Sequence, residues 1–339
     1  MSNGAQLTLN GEKSRKIIEY PNGRKVKRQL KDYEEDLGQR GIYNKKNNLN
    51  ELTGKEWTHF INSVNITDFA KNEEEFRLWK FLHESVIATK YSTNGEDSIG
   101  HDLRKVHPSP KPPQLMRDII GFFTKANGWV LDPFMGVGGS LLGASLLTPK
   151  RNAVGVDLSE VYVDIYYKTA KQEKLSKQIA VAGDSRNINQ IQEVNSKRFD
   201  MILTDPPYAN MMSKLRTGGS RNNKGIGVST PFTDNEKDLG NIPYEDFLPE
   251  FKSIMEKSLQ FLKNKGYVVI FCKDMQPNKK HHNMLHADIV SELLKIKNLQ
   301  FKGYKIWYDK TVNLYPYGYP FSFVANQLHQ YILVFKKEG

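Results

Sequence analysis

The sequence predicts an α/β fold with a doubly wound, mostly parallel sheet, because short apolar runs alternate with helical stretches in its central part. Four of these runs each lead into an aspartate, and successive aspartates lie 21 to 27 residues apart, the length of a strand plus a crossover helix. Ligands of such sheets bind outside the carboxyl ends of the strands, so we expect these carboxylates to line one edge. The four residues are Asp132, Asp157, Asp184 and Asp205.

The individual elements follow from the same alternation. Downstream of the fourth aspartate, the pattern predicts helices at 244–262 and 285–294 and strands at 266–272, 304–308 and 330–335. Upstream of that aspartate it predicts four strands, at 129–131, 153–156, 179–183 and 201–204. Helices at 140–147 and 161–167 are predicted to join the first three of them.

The composition narrows the class of protein. The chain has 339 residues, a net charge of +11 and a single cysteine, which excludes a disulfide framework and a cysteine-rich zinc site. No apolar run is long enough for a transmembrane helix, so no membrane partner is expected. The positive charge favours a polyanionic partner, nucleic acid first. The N-terminus lacks the layout of a signal peptide, and we expect a cytoplasmic, nucleoid-associated protein of bacterial or phage origin.

The first strand runs into a glycine turn that opens a helix, Asp132-Pro133-Phe134-Met135-Gly136-Val137-Gly138-Gly139-Ser140. Glycine lets the backbone approach a ligand closely. Asp157 follows Gly136 at about the offset of a carboxylate that holds ribose hydroxyls. A nicotinamide dinucleotide would require G-x-G-x-x-G, but Leu141 stands where the third glycine is needed. Because a carboxylate at the head of the turn suits a cationic sulfonium, the sequence favours S-adenosylmethionine as the cofactor.

The fourth strand runs into Asp205-Pro206-Pro207-Tyr208. Both prolines fix φ and lack an N–H, so the segment is stiff and turns its carbonyls outward as acceptors. The Asp205 carboxylate and the Pro206 carbonyl would together cradle an –NH₂ group, and Tyr208 would offer a face for stacking. For the tetrapeptide alone, an ordinary turn after a strand is the alternative.

The order and spacing of these motifs resemble those of the amino-methylating DNA methyltransferases, which act on adenine N6 or cytosine N4. The resemblance covers residues 105–337, and the segment 107–113 is similar to the family's cofactor-side motif. It implies a Rossmann-like methyltransferase sheet with an antiparallel C-terminal strand. It makes 205–208 the catalytic motif, Asp157 the ribose-binding acid and Asp184 the residue beside the cofactor adenine. The cofactor-binding residues it implies are Lys111, Asp132, Phe134, Gly136, Gly138, Asp157 and Asp184.

Two features depart from the family's pattern. The glycine turn resembles that of members whose catalytic motif comes earlier in the chain, whereas here the motif comes later. No long target-recognition region follows the last predicted strand, which leaves the recognition sequence open.

Two segments are candidates for substrate contact. Residues 209–243 are polar and rich in glycine, and are interpreted as a mobile loop or as a lid that touches phosphates. Residues 315–323 place aromatic side chains among prolines and a glycine, which suits core packing or a pocket for a flipped base. The predicted substrate-binding residues are Lys214, Arg216, Arg221, Lys224, Tyr317 and Tyr319.

The chain before residue 105 differs in character. We expect a basic, mainly helical extension at 1–104, with a basic run at 24–31 that suits DNA contact, followed by the catalytic domain at 105–339. Thr53 and Glu56 form a capping-box pattern before one helix, and a second helix is predicted from Glu73 to Tyr91.

Two further patterns are not expected to form a metal site or to supply a nucleophile. His281, His282 and His286 could hold a metal by their spacing, but they lie beside lysines with no carboxylate except Asp288. A solvated helix start is the preferred interpretation, and no metal is expected. Cys272 lies inside a predicted strand, whereas cytosine-C5 enzymes need their nucleophilic cysteine in a turn.

These observations predict an S-adenosylmethionine-dependent methyltransferase that acts on the exocyclic amine of a base flipped out of duplex DNA, adenine N6 first. A restriction–modification role is the expected context. The alternatives are cytosine N4 and an RNA base amine, such as guanine N2 or adenine N6. A protein-glutamine methyltransferase would usually carry Asn in place of Asp205. A nucleic-acid-binding protein without activity is disfavoured, because every expected cofactor acid is present.

Overall fold

The computed structural model describes residues 16–19, 25–47, 51–56, 85–89, 98–209, 233, 235–274, 283–309 and 328–339. The chain divides into two compact units, Met1–His83 and Glu84–Gly339. The division falls after His83, whereas the predicted boundary lies after residue 104. Residues 84–104 belong to the second unit because they contribute a strand to its sheet and an arginine to its cleft.

The described part of the first unit contains two antiparallel hairpins. Arg28 and Glu34 form a two-pronged ion pair, with N–O distances of 2.6 and 2.7 Å. The predicted capping box is confirmed, because the Thr53 N–H donates to Glu56 and the Glu56 N–H donates to the Thr53 hydroxyl. A helix begins there at residue 54, and 57–84 lies outside the described residues. The hairpin strands are β1 (Lys16–Glu19), β2 (Lys25–Arg28), β3 (Glu34–Asp36) and β4 (Ile42–Asn44).

The second predicted helix, Glu73 to Tyr91, is wrong over its last part. Residues Val86–Thr89 form strand β5, which pairs in parallel with Leu299–Asp309. The Trp307 indole N–H donates to the Thr89 hydroxyl at 3.0 Å. Three of the four residues of β5 are β-branched, and an available sheet edge outweighs the helical spacing of the apolar residues before it.

The second unit is built on an eight-stranded sheet. Besides β5, its strands are β6 (Trp129–Asp132), β7 (Asn152–Asp157), β8 (Ile179–Ala182), β9 (Phe199–Thr204), β10 (Leu262–Cys272), β11 (Leu299–Asp309) and β12 (Gln330–Lys337). Their order in the sheet is β5-β11-β12-β10-β9-β6-β7-β8. All neighbours pair in parallel except those of β12, which runs antiparallel to β10 and β11, so the predicted antiparallel C-terminal strand is confirmed.

Helices cover both faces of this sheet. Val130 and Leu131 point to opposite faces of β6, and both are fully buried. Leu131 shares a core cluster with Phe247 and Phe251 of a long helix. Among the described residues, no helix is long and apolar enough to cross a bilayer. The helices are α1 (His101–Arg104), α2 (Pro113–Phe123), α3 (Gly139–Ser145), α4 (Glu160–Gln172), α5 (Gln192–Asn195), α6 (Tyr244–Leu259) and α7 (Leu285–Leu293), with a 3-10 helix at Ser185–Gln190.

The position of the site follows from the strand order. The chain crosses from β6 to β7 on one side of the sheet and from β9 to β10 on the other. The order therefore reverses between β6 and β9, and such a switch point opens a crevice at the carboxyl ends of the strands. Asp132 ends β6 and Asp205 directly follows β9 at that crevice.

Candidate active site

A cleft of about 860 Å³, including its open mouth, lies at this edge of the sheet. Its walls come from the glycine turn, the segment that precedes α2, the ends of four strands and a segment that precedes α6. The sequence-predicted residues that line it are Lys111, Asp132, Phe134, Gly136, Asp157, Asp184, Asp205 and Pro207.

The glycine turn has a backbone that other residues would strain. Gly136 and Gly138 have φ angles of +51° and +75°. A Cβ at Gly138 would lie 2.3 Å from the Tyr166 ring, and one at Gly136 would lie 3.0 Å from His107 Nε2. The turn therefore packs closely against its neighbours and leaves its cleft side open to a ligand.

Asp157 is held by two backbone donors. Its Oδ2 accepts from the Gly136 N–H at 2.9 Å, and its Oδ1 accepts from the Ser159 N–H at 2.9 Å. Burial raises the pKa of Asp157 to about 6, and the charge of Asp238 contributes in the same direction. A carboxylate fixed in this way at the cleft wall can accept hydrogen bonds from ligand hydroxyls.

Asp132 is buried and tied to the protein on both oxygens. Its Oδ1 accepts from the Thr204 hydroxyl at 2.8 Å and from the Phe134 N–H at 3.1 Å, and its Oδ2 accepts from the Ser140 hydroxyl. Burial raises its pKa to about 7. Asp132 thus joins the glycine turn to the end of β9 as well as lining the cleft.

Asp184 caps the 3-10 helix that follows β8. Its Oδ1 accepts from the Arg186 N–H at 3.0 Å, and the Arg186 guanidinium also lies 3.4 Å from it. The same guanidinium donates to the Lys237 carbonyl and pairs with Glu250 at 2.7 Å. Arg186 therefore connects the cleft wall at Asp184 to the segment before α6.

Asp205 faces the cleft from the end of β9 and has two side-chain partners. Its Oδ2 forms an ion pair with the Lys111 ammonium, and its Oδ1 accepts from the Tyr208 hydroxyl. The Lys111 side chain is only 4% exposed, and its nitrogen lies 5.6 Å from the centre of the Phe271 ring. The resemblance assigns Lys111 to the cofactor, and in this structure its charge is directed at the Asp205 carboxylate.

Tyr208 differs from the predicted stacking platform. Its ring packs against the hydrophobic core, and its hydroxyl also lies 3.3 Å from the Phe271 carbonyl. Burial and the nearby Asp205 charge raise the pKa of Tyr208 well above its usual range. The tyrosine is therefore placed to orient Asp205 through its hydroxyl. Of the two prolines, Pro206 is buried and Pro207 lines the cleft.

Several residues at the site carried no sequence signal of their own. Asp238 is buried and accepts from the Thr233 hydroxyl at 2.7 Å and from the Gly240 N–H at 2.8 Å. Tyr162 and Arg104 line the same cleft. In the sequence, Asp238 is marked only by its place at the end of a polar stretch, directly before Leu239 and Gly240.

The predicted substrate-binding residues lie outside the described part of the chain. These are Lys214, Arg216, Arg221, Lys224, Tyr317 and Tyr319, together with most of the predicted loop at 209–243.

The prediction that the histidines at 281–286 mark a solvated helix start is wrong for His286. His281 and His282 lie outside the described residues, but His286 is not a solvated helix start. Its Nδ1 lies 2.7 Å from Asp274 Oδ2, and its ring stacks on Tyr331 at 3.9 Å. Asp274 follows β10 and reaches His286 only through the fold. Over the described residues, no group of three or more metal-ligating side chains occurs.

Cys272 ends β10 and is fully buried. Burial, together with the nearby Asp274 and Asp205 charges, raises the pKa of its thiol well above the usual range. A neutral, buried thiol is a poor nucleophile.

Comparison with known proteins places the chain in a family. The family model described as DNA methylase matches residues 6–168 and 199–339. A tRNA (guanine(10)-N2)-dimethyltransferase of Pyrococcus abyssi is 33% identical over 101 residues, which is 30% of this chain and 29% of that protein. The type II methyltransferase M.HinfI of Haemophilus influenzae is 31% identical over 90 residues, 26% of this chain and 24% of that protein. The chain thus matches less than a third of the length of these relatives.

Solved structures show a weaker likeness. TrmN from Thermus thermophilus is 16% identical with a TM-score of 0.41, covering 66% of this chain and 48% of that one. A class I S-adenosylmethionine-dependent methyltransferase of Listeria monocytogenes is 16% identical with a TM-score of 0.40, covering 85% and 74%.

The residues that line the cleft suit a nucleoside. The glycine turn allows close backbone approach, and the fixed carboxylate of Asp157 can accept hydrogen bonds from free ribose hydroxyls. The chain belongs to the N6/N4 DNA methylase family.

Proposed function

We propose that this protein is an S-adenosylmethionine-dependent methyltransferase that modifies the exocyclic amine of a base flipped out of duplex DNA, with adenine N6 as the acceptor. The observation that carries the proposal is the Asp205 carboxylate, which is held at the cleft by Lys111 and Tyr208 and followed by two prolines. The adenine amine is a poor nucleophile because its lone pair is delocalised into the ring. A fixed carboxylate that accepts an N–H bond favours the pyramidal form, whose lone pair can attack.

The main role of the protein's own residues is to position the cofactor and the target amine. When bound, S-adenosylmethionine supplies an electrophilic methyl group. Asp157 and Asp184 would hold its ribose and adenine at one side of the cleft, and Asp205 would hold the target amine at the other. Bringing the two reactants together in line can account for much of the rate, and no metal or covalent intermediate is required. The reaction leaves the methylated amine, S-adenosylhomocysteine and one proton.

The choice of DNA is supported by the family model and by the M.HinfI relative. A base inside a duplex must be flipped out before its amine can reach Asp205, at a cost of a few kcal/mol, roughly. Cytosine N4 presents the same amine geometry and is the alternative acceptor. Such activity belongs in the cytoplasm, on the nucleoid, and a restriction–modification role would suit it.

RNA is the second candidate substrate, because two tRNA (guanine(10)-N2)-dimethyltransferases match 30% and 31% of this chain. Guanine N2 is also an exocyclic amine, and the same carboxylate could accept its N–H bond.

The test is tritiated-methyl transfer from S-adenosylmethionine to duplex DNA, single-stranded DNA and tRNA, followed by identification of the methylated nucleoside. We expect N6-methyladenine from duplex DNA, formed about 10²–10⁴-fold more slowly by the Asp205→Ala variant. N2-methylguanine from tRNA, with no product from DNA, would replace the proposal by the second candidate.

A further inference from the structure

Lys273 lies at the carboxyl edge of the sheet, on the side of β9 that faces away from the glycine turn. It directly follows β10, which pairs in parallel with β9 so that Ile270 is the partner of Thr204. Asp205 directly follows β9, so Asp205 and Lys273 leave neighbouring strands at the same edge. The Lys273 side chain is partly exposed there and can reach a ligand.

Among the described residues, the Lys273 ammonium has no hydrogen-bond or ion-pair partner. The carboxylates near it are engaged elsewhere, since Asp205 pairs with Lys111 and Asp274 lies 2.7 Å from the His286 ring nitrogen. Burial and the nearby charge of Lys111 lower the pKa of Lys273. A partly buried cation beside a second cation is unfavourable, and an anion bound at this edge would stabilise it.

The chain on both sides of Lys273 is fixed. Phe271 belongs to β10 and is fully buried, and Asp274 accepts from the His286 N–H at 3.0 Å. The ammonium is therefore presented from a rigid backbone at the end of a strand, which suits a specific contact.

The position of Lys273 indicates which anion it would meet. Lys111 and Asp205 line the cleft that contains the glycine turn, whereas Lys273 lies outside that lining. In the proposed function, S-adenosylmethionine occupies this cleft, on the side of β6, β7 and β8. The side of β10 is left for the nucleic acid to approach Asp205. Every nucleotide of that substrate brings a negatively charged phosphate.

We infer that Lys273 binds a backbone phosphate of the nucleic-acid substrate next to the target nucleotide. The assignment rests on the proposed function, which places the target amine at Asp205. The contact would hold the backbone that carries the target base while Asp205 accepts the amine. The alternative is that Lys273 acts on Asp205 only through its charge and touches no substrate.

The test measures methyl transfer to long unmethylated duplex DNA by the wild-type protein and by Lys273→Gln over a range of salt concentrations. Loss of a phosphate contact should raise KM for DNA by about 3- to 10-fold at physiological salt. The slope of log(1/KM) against log[salt] should become shallower by about 0.9, with kcat nearly unchanged. Unchanged KM and slope would overturn the inference, and a fall in kcat alone would leave only an effect on Asp205.

Two further variants serve as controls. Lys265→Gln removes the same charge from an exposed position near the other end of β10 and should retain the wild-type slope. Lys273→Arg keeps the cation and should retain most of the slope. A slope as shallow as that of Lys273→Gln would contradict a phosphate contact. Melting temperatures of all three variants show whether they fold.

The experiment separates this inference from the proposed function. Wild-type protein that transfers no methyl group to duplex DNA would contradict the proposed DNA substrate. The same variants would then be compared on tRNA, whose backbone phosphates offer the same contact, and an unchanged slope there would overturn the inference as well.

Discussion

The two sides of the cleft hold their carboxylates by different means. On the β7 side of the cleft, Asp157 accepts from backbone N–H groups of Gly136 and Ser159, which lie in turns after neighbouring strands. Backbone donors of this kind are fixed by the strand ends themselves. The position of the Asp157 carboxylate therefore depends on the pairing of β6 with β7.

On the β9 side of the cleft, Asp205 is held by side chains. Lys111 lies 94 residues earlier in the chain, and Tyr208 bonds to Asp205 from within the core. A pair of this kind forms only after distant segments have packed. From the proposed function, we expect substitutions around Asp205 to change turnover and substitutions around Asp157 to change cofactor binding.

The largest expected effect is that of Asp205→Ala. It removes the acceptor for the target amine but not the cofactor's adenosine site, so we expect turnover to fall by about 10²–10⁴-fold with nearly unchanged cofactor affinity. Methyl transfer at saturating cofactor and calorimetry measure the two quantities. Asp200→Ala, at the other end of the same strand, is the control and should retain turnover. Near-normal turnover of Asp205→Ala would overturn the comparison.

The next effect is that of Asp157→Ala on cofactor binding. Loss of a buried acceptor should weaken the binding of S-adenosylmethionine by about 1–3 kcal/mol. Turnover at saturating cofactor should be less affected. Calorimetry tests this, with Asp164→Ala as the control, since Asp164 is exposed on α4 and pairs with Lys168. Unchanged affinity would mean that Asp157 does not contact the ribose.

Tyr208→Phe should have a smaller effect, confined to turnover. The ring remains packed in the core, but Asp205 loses one of its two side-chain partners. We expect turnover to fall by about tenfold, which corresponds to about 1.4 kcal/mol. Tyr244→Phe is the matched control, because it breaks a tyrosine–carboxylate bond to Asp288 away from Asp205. If both variants retain full turnover, the Tyr208 hydroxyl does not position Asp205.

The smallest expected effect is that of pH on cofactor affinity. Burial raises the pKa of Asp157 to about 6, so this group gains a proton as the pH falls through 6 and loses acceptor capacity. Cofactor affinity should therefore decline below pH 6, by at most about tenfold per pH unit. The affinity of Asp157→Asn, measured from pH 5 to 8, should be low and nearly independent of pH. A wild-type affinity that is flat over this range would show that the ionisation of Asp157 does not matter for binding.

Some features of this protein were determined by the sequence alone because they depend on neighbouring residues. Apolar runs that end in aspartate fixed the strands and the edge at which their carboxylates meet, and the capping box at Thr53 and Glu56 fixed a helix start. The glycine turn required positive φ at Gly136 and Gly138, which few other residues tolerate. Local chemistry decided each of these features.

Other features were decided only by the tertiary structure. Val86–Thr89 forms a strand because it pairs with the edge of the sheet at β11. His286 on α7 contacts Asp274, which follows β10, because the fold brings these two segments together. Arg104 and the ion pair of Lys111 with Asp205 likewise join residues that no local pattern connects. Such contacts depend on which distant surfaces are buried together, and that outcome is set by the packing of the whole sheet.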